Sequence, residues 1–86
     1  MAEVTVYSSR YCGYCRAAKK FLRDKGVTFK EILVDANPEL RMEVIRKSQR
    51  RTVPQIWIGD THIGGFTDMQ EMERSGKLDK LLQGGA

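Results

Sequence analysis

The sequence has few of the residues that build metal centres and disulfide frameworks. Among 86 residues there are two cysteines, one histidine and two prolines. A structural zinc site needs about four ligands, so an intrachain zinc site is not expected. The two cysteines, Cys12 and Cys15, lie close together, whereas a disulfide stabilises a fold more when it closes a longer loop. We therefore expect this pair to serve redox or metal chemistry and not to crosslink the fold.

Long apolar runs and a concentrated charge of one sign are also missing. No apolar stretch approaches the roughly 20 residues of a membrane-spanning helix, and no signal-peptide pattern is visible. We expect a cytoplasmic protein with no membrane partner. The net charge is +4, and most basic residues are interleaved with acidic ones. The local basic cluster at residues 46–51 contains no aromatic side chain. Nucleic acid is therefore not an expected partner.

The rest of the composition is close to that of an ordinary globular protein. Apolar residues make up 41% and charged residues 30% of the chain, near the values typical of folded domains. No repeat, low-complexity segment or linker divides the sequence. The length suffices for one domain, which we expect to cover residues 1–86.

Residue periodicity predicts four strands and four helices. Val4 and Val6 alternate with their neighbours as in a strand, whereas Ala18, Phe21 and Leu22 recur at helical spacing. The predicted strands cover residues 3–8, 28–34 (mostly buried), 55–58 and 61–63. The predicted helices cover residues 13–25, 37–48, 67–74 and 77–83, and residues 84–86 are expected to be frayed.

Cap and turn residues support these boundaries. Asn37, followed by proline, is a typical N-cap. Gly59-Asp60 predicts a two-residue hairpin turn. Thr67 with Gln70 three positions later predicts a capping box that starts the third helix.

The order of these elements predicts an α/β fold. The order is β-α-β-α-β-β-α, with a further short helix at the end. A helical connection favours parallel pairing of the first two strands, and the hairpin requires antiparallel pairing of the last two. We expect a four-stranded mixed sheet with helices on both faces.

The candidate reactive group is the motif Cys12-Gly13-Tyr14-Cys15, between the first strand and the first helix. Cys12 is expected at the helix N-terminus, where unpaired N–H groups and the helix dipole favour a thiolate. The flanking Arg10 and Arg16 act in the same direction. Cys15 is expected one turn further on and less exposed, which predicts Cys12 as the nucleophile and Cys15 as the resolving thiol.

The sequence resembles the glutaredoxins, and is most similar to the small bacterial dithiol class. Three segments carry the resemblance, in the order and spacing of that family, and together they extend over essentially the whole chain. They are Cys12-Gly13-Tyr14-Cys15, Thr52-Val53-Pro54-Gln55-Ile56 and Gly64-Gly65-Phe66-Thr67-Asp68.

The resemblance implies a thioredoxin fold, a cis Pro54 and a glutathione-binding groove beside Cys12. In such a groove the cysteinyl part of glutathione contacts the backbone next to the proline, and the γ-glutamyl end lies at the start of the third helix. A cation near the glycine end and a charge before the cysteine motif complete the site. The implied glutathione-binding residues are Arg10, Tyr14, Arg41, Thr52, Val53, Pro54, Gly65, Thr67 and Asp68.

The sequence also departs from the family pattern in three places. Ser9 and Arg10 occupy the region before the motif where family members often have a lysine. Gly13 stands where the dithiol motif most often has proline, and glycine leaves the φ angle of that turn free. Phe66 stands where relatives often have a cysteine, so no third thiol is present.

Two functions remain open at this point. The first is a glutathione-dependent thiol–disulfide oxidoreductase that acts as a monomer on protein disulfides and protein–glutathione mixed disulfides. Glutathione is then a co-substrate, and no tightly bound cofactor is expected. The alternative is a homodimer that holds a [2Fe–2S] cluster, which needs four thiolates. Each chain would then supply Cys12 and one bound glutathione.

Overall fold

Eight elements of regular structure follow one another along the computed structural model, which describes residues 2–84. The strands are β1 (Val4–Ser8), β2 (Lys30–Leu33), β3 (Gln55–Ile58) and β4 (Thr61–Gly64). The helices are α1 (Gly13–Asp24), α2 (Pro38–Ser48), α3 (Phe66–Ser75) and α4 (Lys77–Leu82). The predicted order and types of the elements are confirmed. Of the predicted frayed end, residues 85 and 86 lie outside the described part of the chain.

The four strands form one mixed sheet in the order β2-β1-β3-β4. Strand β1 pairs in parallel with β2 and antiparallel with β3, and β3 pairs antiparallel with β4. The connection through α1 permits the parallel pair, and the turn at Gly59, which has φ of 58°, closes the hairpin. The predicted fold class is confirmed.

One face of the sheet carries the main core. Val4 and Val6 of β1 and Ile56 of β3 are at most 1% exposed and pack with the apolar sides of α1, α3 and α4. Full burial of one such side chain contributes roughly 1.5–3 kcal/mol. The helix residues of this core are Ala18, Leu22, Met69, Leu78 and Leu82.

The other face of the sheet carries aromatic side chains and α2. Tyr7 and Trp57 contact each other edge to face, with ring centroids 5.3 Å apart. Lys47 of α2 lines a cavity together with these two rings, and Val44 of α2 is buried outside the main core. Helices therefore lie on both faces, as predicted.

Two local predictions were wrong. Strand β2 is not mostly buried, because it pairs on one side only and three of its four residues are exposed. The capping box of Thr67 with Gln70 does not form. Helix α3 starts earlier, with Gly65 as N-cap, and the Asp68 carboxylate accepts the Gly65 N–H at 2.8 Å.

Candidate functional site

Cys12 caps the N-terminus of α1 with its sulfur. Its backbone is extended, and Sγ accepts the N–H of Cys15 at 3.2 Å. The first turn of α1 contains no acidic side chain, so no carboxylate offsets the positive end of the helix dipole. The Cys12 sulfur is therefore the group that this helix terminus can stabilise when it carries a negative charge.

Cys15 differs from Cys12 in its environment, although both are free thiols. Cys12 is half-buried, whereas Cys15 is 1% exposed. Burial, followed by the hydrogen bond with Cys12, raises the pKa of the Cys15 thiol to about 12. At neutral pH the Cys15 thiol is therefore protonated, and Cys12 is the cysteine that an external disulfide can reach.

The loop before β3 lies against the Cys12 sulfur. The Val53–Pro54 peptide bond is cis, as the resemblance implied. The Cys12 Sγ lies 3.7 Å from the Val53 carbonyl oxygen, as a donor to it. The backbone of this loop is thus in direct contact with the candidate nucleophile.

A groove of about 340 Å³ extends from this loop to the start of α3, and we call it the Pro54 groove. It brings together seven of the nine residues predicted to bind glutathione. It also contains two residues that the sequence analysis did not place there, Arg50 and Phe66. The predicted residues that line it are Tyr14, Thr52, Val53, Pro54, Gly65, Thr67 and Asp68.

An ion pair crosses the far end of the Pro54 groove. Arg50 Nη1 donates to Asp68 Oδ2 at 2.6 Å. The hydrogen bond from Arg50, followed by the one from the Gly65 N–H, lowers the pKa of Asp68. A Cβ at Gly64, which has φ of 111°, would lie 2.5 Å from the same carboxylate oxygen. Glycine is therefore required there for the backbone to approach Asp68 this closely.

Arg10 and Arg41 lie outside the Pro54 groove. Arg10 lines a separate groove, to which Cys12 also contributes. Arg41 donates through Nη2 to the backbone oxygen of Arg51 at 3.2 Å and is exposed. Their roles in glutathione binding stay predictions.

A chain of hydrogen bonds from His62 through Gln55 holds Thr52, which lines the Pro54 groove. His62 Nε2 lies 2.7 Å from Gln55 Oε1, and Gln55 Nε2 donates to the carbonyl oxygen of Thr52 at 3.0 Å. Gln55 is fully buried. Burial, followed by the positive charge of Arg50, lowers the pKa of His62, so its ring is neutral at pH 7 and donates one N–H to Gln55. His62 therefore supports the loop before β3 through Gln55.

The described residues, 2–84, contain neither a metal-binding cluster nor a membrane span. Within residues 2–84 there is no group of three or more histidine, cysteine, aspartate or glutamate side chains placed to hold a metal ion. In the same part of the chain no helix is long and apolar enough to cross a membrane.

Comparison with known proteins agrees with this geometry. The family model described as Glutaredoxin matches residues 4–63. A Pseudomonas aeruginosa protein named Glutaredoxin is 54% identical over 82 residues, which cover 95% of this chain and 98% of that protein. The Escherichia coli K12 protein named Glutaredoxin 3 is 46% identical over 83 residues, which cover 96% and 100%.

Solved structures give the same result at the level of the fold. A buckwheat glutaredoxin–glutathione complex superposes with a TM-score of 0.90 at 32% identity, over 98% of this chain and 79% of that one. A glutaredoxin from Brucella melitensis superposes with a TM-score of 0.89 at 46% identity, over 100% and 94%.

A thioredoxin fold with two unequal thiols at the start of its first helix defines a thiol oxidoreductase. The family match and the identities make the assignment more specific: this chain belongs to the glutaredoxin family. The family and the fold also make it a glutathione-related enzyme.

Proposed function

We propose that the protein reduces protein disulfides and protein–glutathione mixed disulfides, with glutathione as the electron donor. The single observation that carries this proposal is the inequality of the two thiols beside the Pro54 groove. Cys12 is accessible and capped by a backbone N–H, while Cys15 is buried and protonated. Glutathione as reductant is compatible with the reducing potentials typical of this class of enzyme. The protein then acts as a monomer in the cytoplasm.

The first step acts on a protein–glutathione mixed disulfide. The Cys12 thiolate attacks the glutathione sulfur, a Cys12–glutathione disulfide forms, and the protein–glutathione S–S bond breaks. The protein thiolate leaves with the electron pair and takes up a proton. A second glutathione, as the thiolate, then attacks the bound glutathione sulfur, which releases glutathione disulfide and restores Cys12.

Cys15 serves the reaction with protein disulfides. Cys12 attacks one sulfur of the substrate and forms a mixed disulfide with it, and the other substrate sulfur leaves as a thiol. Cys15 then loses its proton and attacks the Cys12 sulfur, which forms the Cys12–Cys15 disulfide and releases the reduced substrate. Two glutathione molecules reduce this disulfide again and become glutathione disulfide.

The Pro54 groove matches the charges of glutathione. The γ-glutamyl end of glutathione carries an ammonium and a carboxylate on one carbon atom. In this proposal Asp68 binds the ammonium, and Arg50 and the N-terminus of α3 near Thr67 bind the carboxylate. Val53 offers its backbone to the cysteinyl part. The complex of the buckwheat relative with glutathione supports glutathione as the ligand.

The test is turnover of a mixed disulfide between glutathione and a small neutral thiol, coupled to glutathione reductase. We expect activity in the parent protein and in Cys15→Ser, and none in Cys12→Ser. Cys15→Ser is the matched control, since it makes the same chemical change one helical turn away. No turnover by the metal-free parent protein would contradict the proposal.

The second candidate function is the glutathione-ligated [2Fe–2S] homodimer. Cys15 is 1% exposed, so one chain offers only Cys12 to an external cluster, and the donor set fits only across two chains with two glutathiones. A solved structure described as "Metal Binding of Glutaredoxins", 46% identical with a TM-score of 0.78, supports keeping this candidate. A visible absorption band in anaerobically purified protein, lost in Cys12→Ser and on removal of glutathione, would favour it.

A further inference from the structure

A second groove, separate from the Pro54 groove, is lined by Cys12 itself. It has a volume of about 330 Å³ and lies between the start of α1 and the exposed edge strand β2. We call it the Tyr11 groove, after the residue that precedes Cys12. Its charged and apolar lining residues are Arg10, Tyr11, Arg16, Lys19, Glu31 and Leu33.

The Tyr11 groove carries a net positive charge. Lys19 is paired with Glu31 at 2.7 Å, with side chains 18% and 31% exposed. Within residues 2–84 neither Arg10 nor Arg16 has an ion-pair partner. Asp35 accepts a hydrogen bond from the backbone N–H of Arg10, at 3.3 Å, and does not line the groove. Two exposed guanidinium groups are therefore available beside Cys12 to an incoming anion.

The same groove presents apolar surface that the fold does not use. The Tyr11 side chain is 99% exposed and Leu33 is 41% exposed. Tyr11 also has φ of 58°, a conformation that costs a bulky residue roughly 1–3 kcal/mol and that is enriched at functional sites. An exposed aromatic ring next to a reactive cysteine fits contact with another polypeptide better than contact with a small ion.

We infer that the Tyr11 groove receives the substrate polypeptide beside its reactive cysteine and favours acidic residues flanking that cysteine. The inference rests on the proposed function, because it names the protein substrates of the same nucleophile. The substrate cysteine is held by the Cys12–substrate disulfide. Neighbouring carboxylates then contact Arg10 and Arg16, and neighbouring aliphatic groups contact Tyr11 and Leu33.

The test measures formation of the Cys12–substrate disulfide without glutathione. Three short peptides each carry one cysteine in a mixed disulfide with thionitrobenzoate, flanked by aspartates, serines or lysines. Cys12 of the Cys15→Ser protein attacks the peptide sulfur, the Cys12–peptide disulfide forms, and the coloured thionitrobenzoate thiolate leaves. Reaction of the same peptides with a small neutral thiol gives their intrinsic rates, by which the protein rates are divided.

At low salt we expect the aspartate peptide to react about fivefold faster than the lysine peptide, since pairs of exposed charges contribute modestly. The ratio should fall towards one in about 1 M salt, where the Debye length is about 3 Å. Arg10→Gln/Arg16→Gln should reduce the low-salt ratio to below about twofold. Arg46→Gln/Arg74→Gln, which removes the same charge from two other helices, should keep it above about threefold.

Equal corrected rates for the aspartate and lysine peptides at low salt would overturn the inference. So would an equal loss of preference in the two double variants, because net charge and not the groove would then be responsible. These outcomes leave the proposed function intact, since the assay contains no glutathione. If the parent protein showed no turnover in the coupled glutathione assay, that result would contradict the proposed function and not the peptide preference.

Discussion

The two grooves beside Cys12 have nearly equal volumes, but they differ in whether their arginines are paired with carboxylates. In the Pro54 groove the charged groups are paired with each other, Arg50 with Asp68 at 2.6 Å, and are fixed by the backbone at Gly64 and Gly65. In the Tyr11 groove Lys19 is paired with Glu31, but Arg10 and Arg16 have no ion-pair partner within residues 2–84. The aromatic ring of Tyr11 is fully exposed.

This difference separates two kinds of recognition around one nucleophile. Prearranged opposite charges select one small ligand with a fixed pattern of ammonium and carboxylate groups, because binding then needs little reorganisation. Unpaired exposed cations attract many anionic surfaces through net charge and lose that effect in salt. Of the four predictions, the first two alter the Pro54 groove and use the Tyr11 groove as the internal reference. The third titrates the Arg50–Asp68 pair, and the fourth changes the start of α1.

The largest effect is expected from Gly64→Ala. The new Cβ would lie 2.5 Å from Asp68 Oδ2 and 2.9 Å from its Cγ, at a φ of 111° that alanine rarely adopts. We expect a loss of about 2–4 kcal/mol in the free energy of unfolding, and a KM for glutathione raised by at least about tenfold as Asp68 is displaced.

The control for this variant is Gly65→Ala, where the nearest atom to a new Cβ is the Pro54 carbonyl oxygen at 3.6 Å and φ is −92°. It should cost less than about 1 kcal/mol, the usual range for an N-cap change. The preference for acidic peptides should persist in both variants. Equal destabilisation of the two variants, measured by urea unfolding, would show that the Gly64 backbone is not the constraint described.

Arg50→Gln is expected to weaken the Pro54 groove without unfolding it. The side chains of Arg50 and Asp68 are 45% and 37% exposed, so the effect on stability should stay below about 1 kcal/mol. The KM for glutathione should rise about three- to tenfold, because a charged partner for the ligand carboxylate is lost. Coupled steady-state kinetics measure this change.

Arg51→Gln is the matched control for Arg50→Gln. Arg51 is the adjacent exposed arginine and does not line the Pro54 groove. Its substitution should change the KM for glutathione by less than about twofold, as expected of a surface charge outside the site. A similar rise in both variants would mean that only the overall charge of this loop matters.

Acid should open the Arg50–Asp68 pair and leave the cations of the Tyr11 groove unchanged. The pKa of Asp68 is lowered in the folded protein, mainly by Arg50. The pair therefore adds stability above the unfolded pKa of about 3.9, and that stability disappears as the pH falls through the lower folded value. The difference in unfolding free energy between the parent protein and Asp68→Asn should be constant from about pH 7 to 5 and shrink below about pH 4. A difference that persists at the lowest pH at which the protein folds would contradict the ion pair.

The smallest effect is expected from Gly13→Pro, between the two cysteines at the start of α1. Gly13 is the first residue of α1, where proline is favoured, and no heavy atom lies within 4 Å of a Cβ added there. We expect about 0.4–1 kcal/mol of added stability, from the reduced freedom of the unfolded chain. Thermal unfolding measures this gain. A loss of stability would show that the Gly13 N–H or its φ angle is needed in the folded state.

The parts of the structure that sequence predicts are those with local signals. The alternation in β1, the Asn37 cap, whose side chain accepts the Leu40 N–H at 3.1 Å, and the turn at Gly59 each depend on a few adjacent residues. The position of Cys12 at the start of α1 belongs to the same group, because a strand followed by a helix places it there.

The missed features depend on residues far apart in the sequence. Arg50 falls within the basic cluster of residues 46–51, and nothing local indicates that it pairs with Asp68, 18 positions later. The exposure of β2 depends on its place at the sheet edge, which is set by the order of the strands. The start of α3 at Phe66 depends on the hydrogen bond from the Gly65 N–H to the Asp68 carboxylate. This bond makes Gly65 the N-cap in place of the expected Thr67.

The most direct test of the two-groove account is a pair of covalent adducts on Cys12 of the Cys15→Ser protein, compared by backbone NMR. One adduct carries glutathione and the other carries the aspartate peptide. We predict that glutathione shifts the amide signals of Val53, Thr67 and Asp68, whereas the peptide shifts those of Arg10, Arg16 and Leu33. Shifts confined to the Pro54 groove in both adducts would contradict the account.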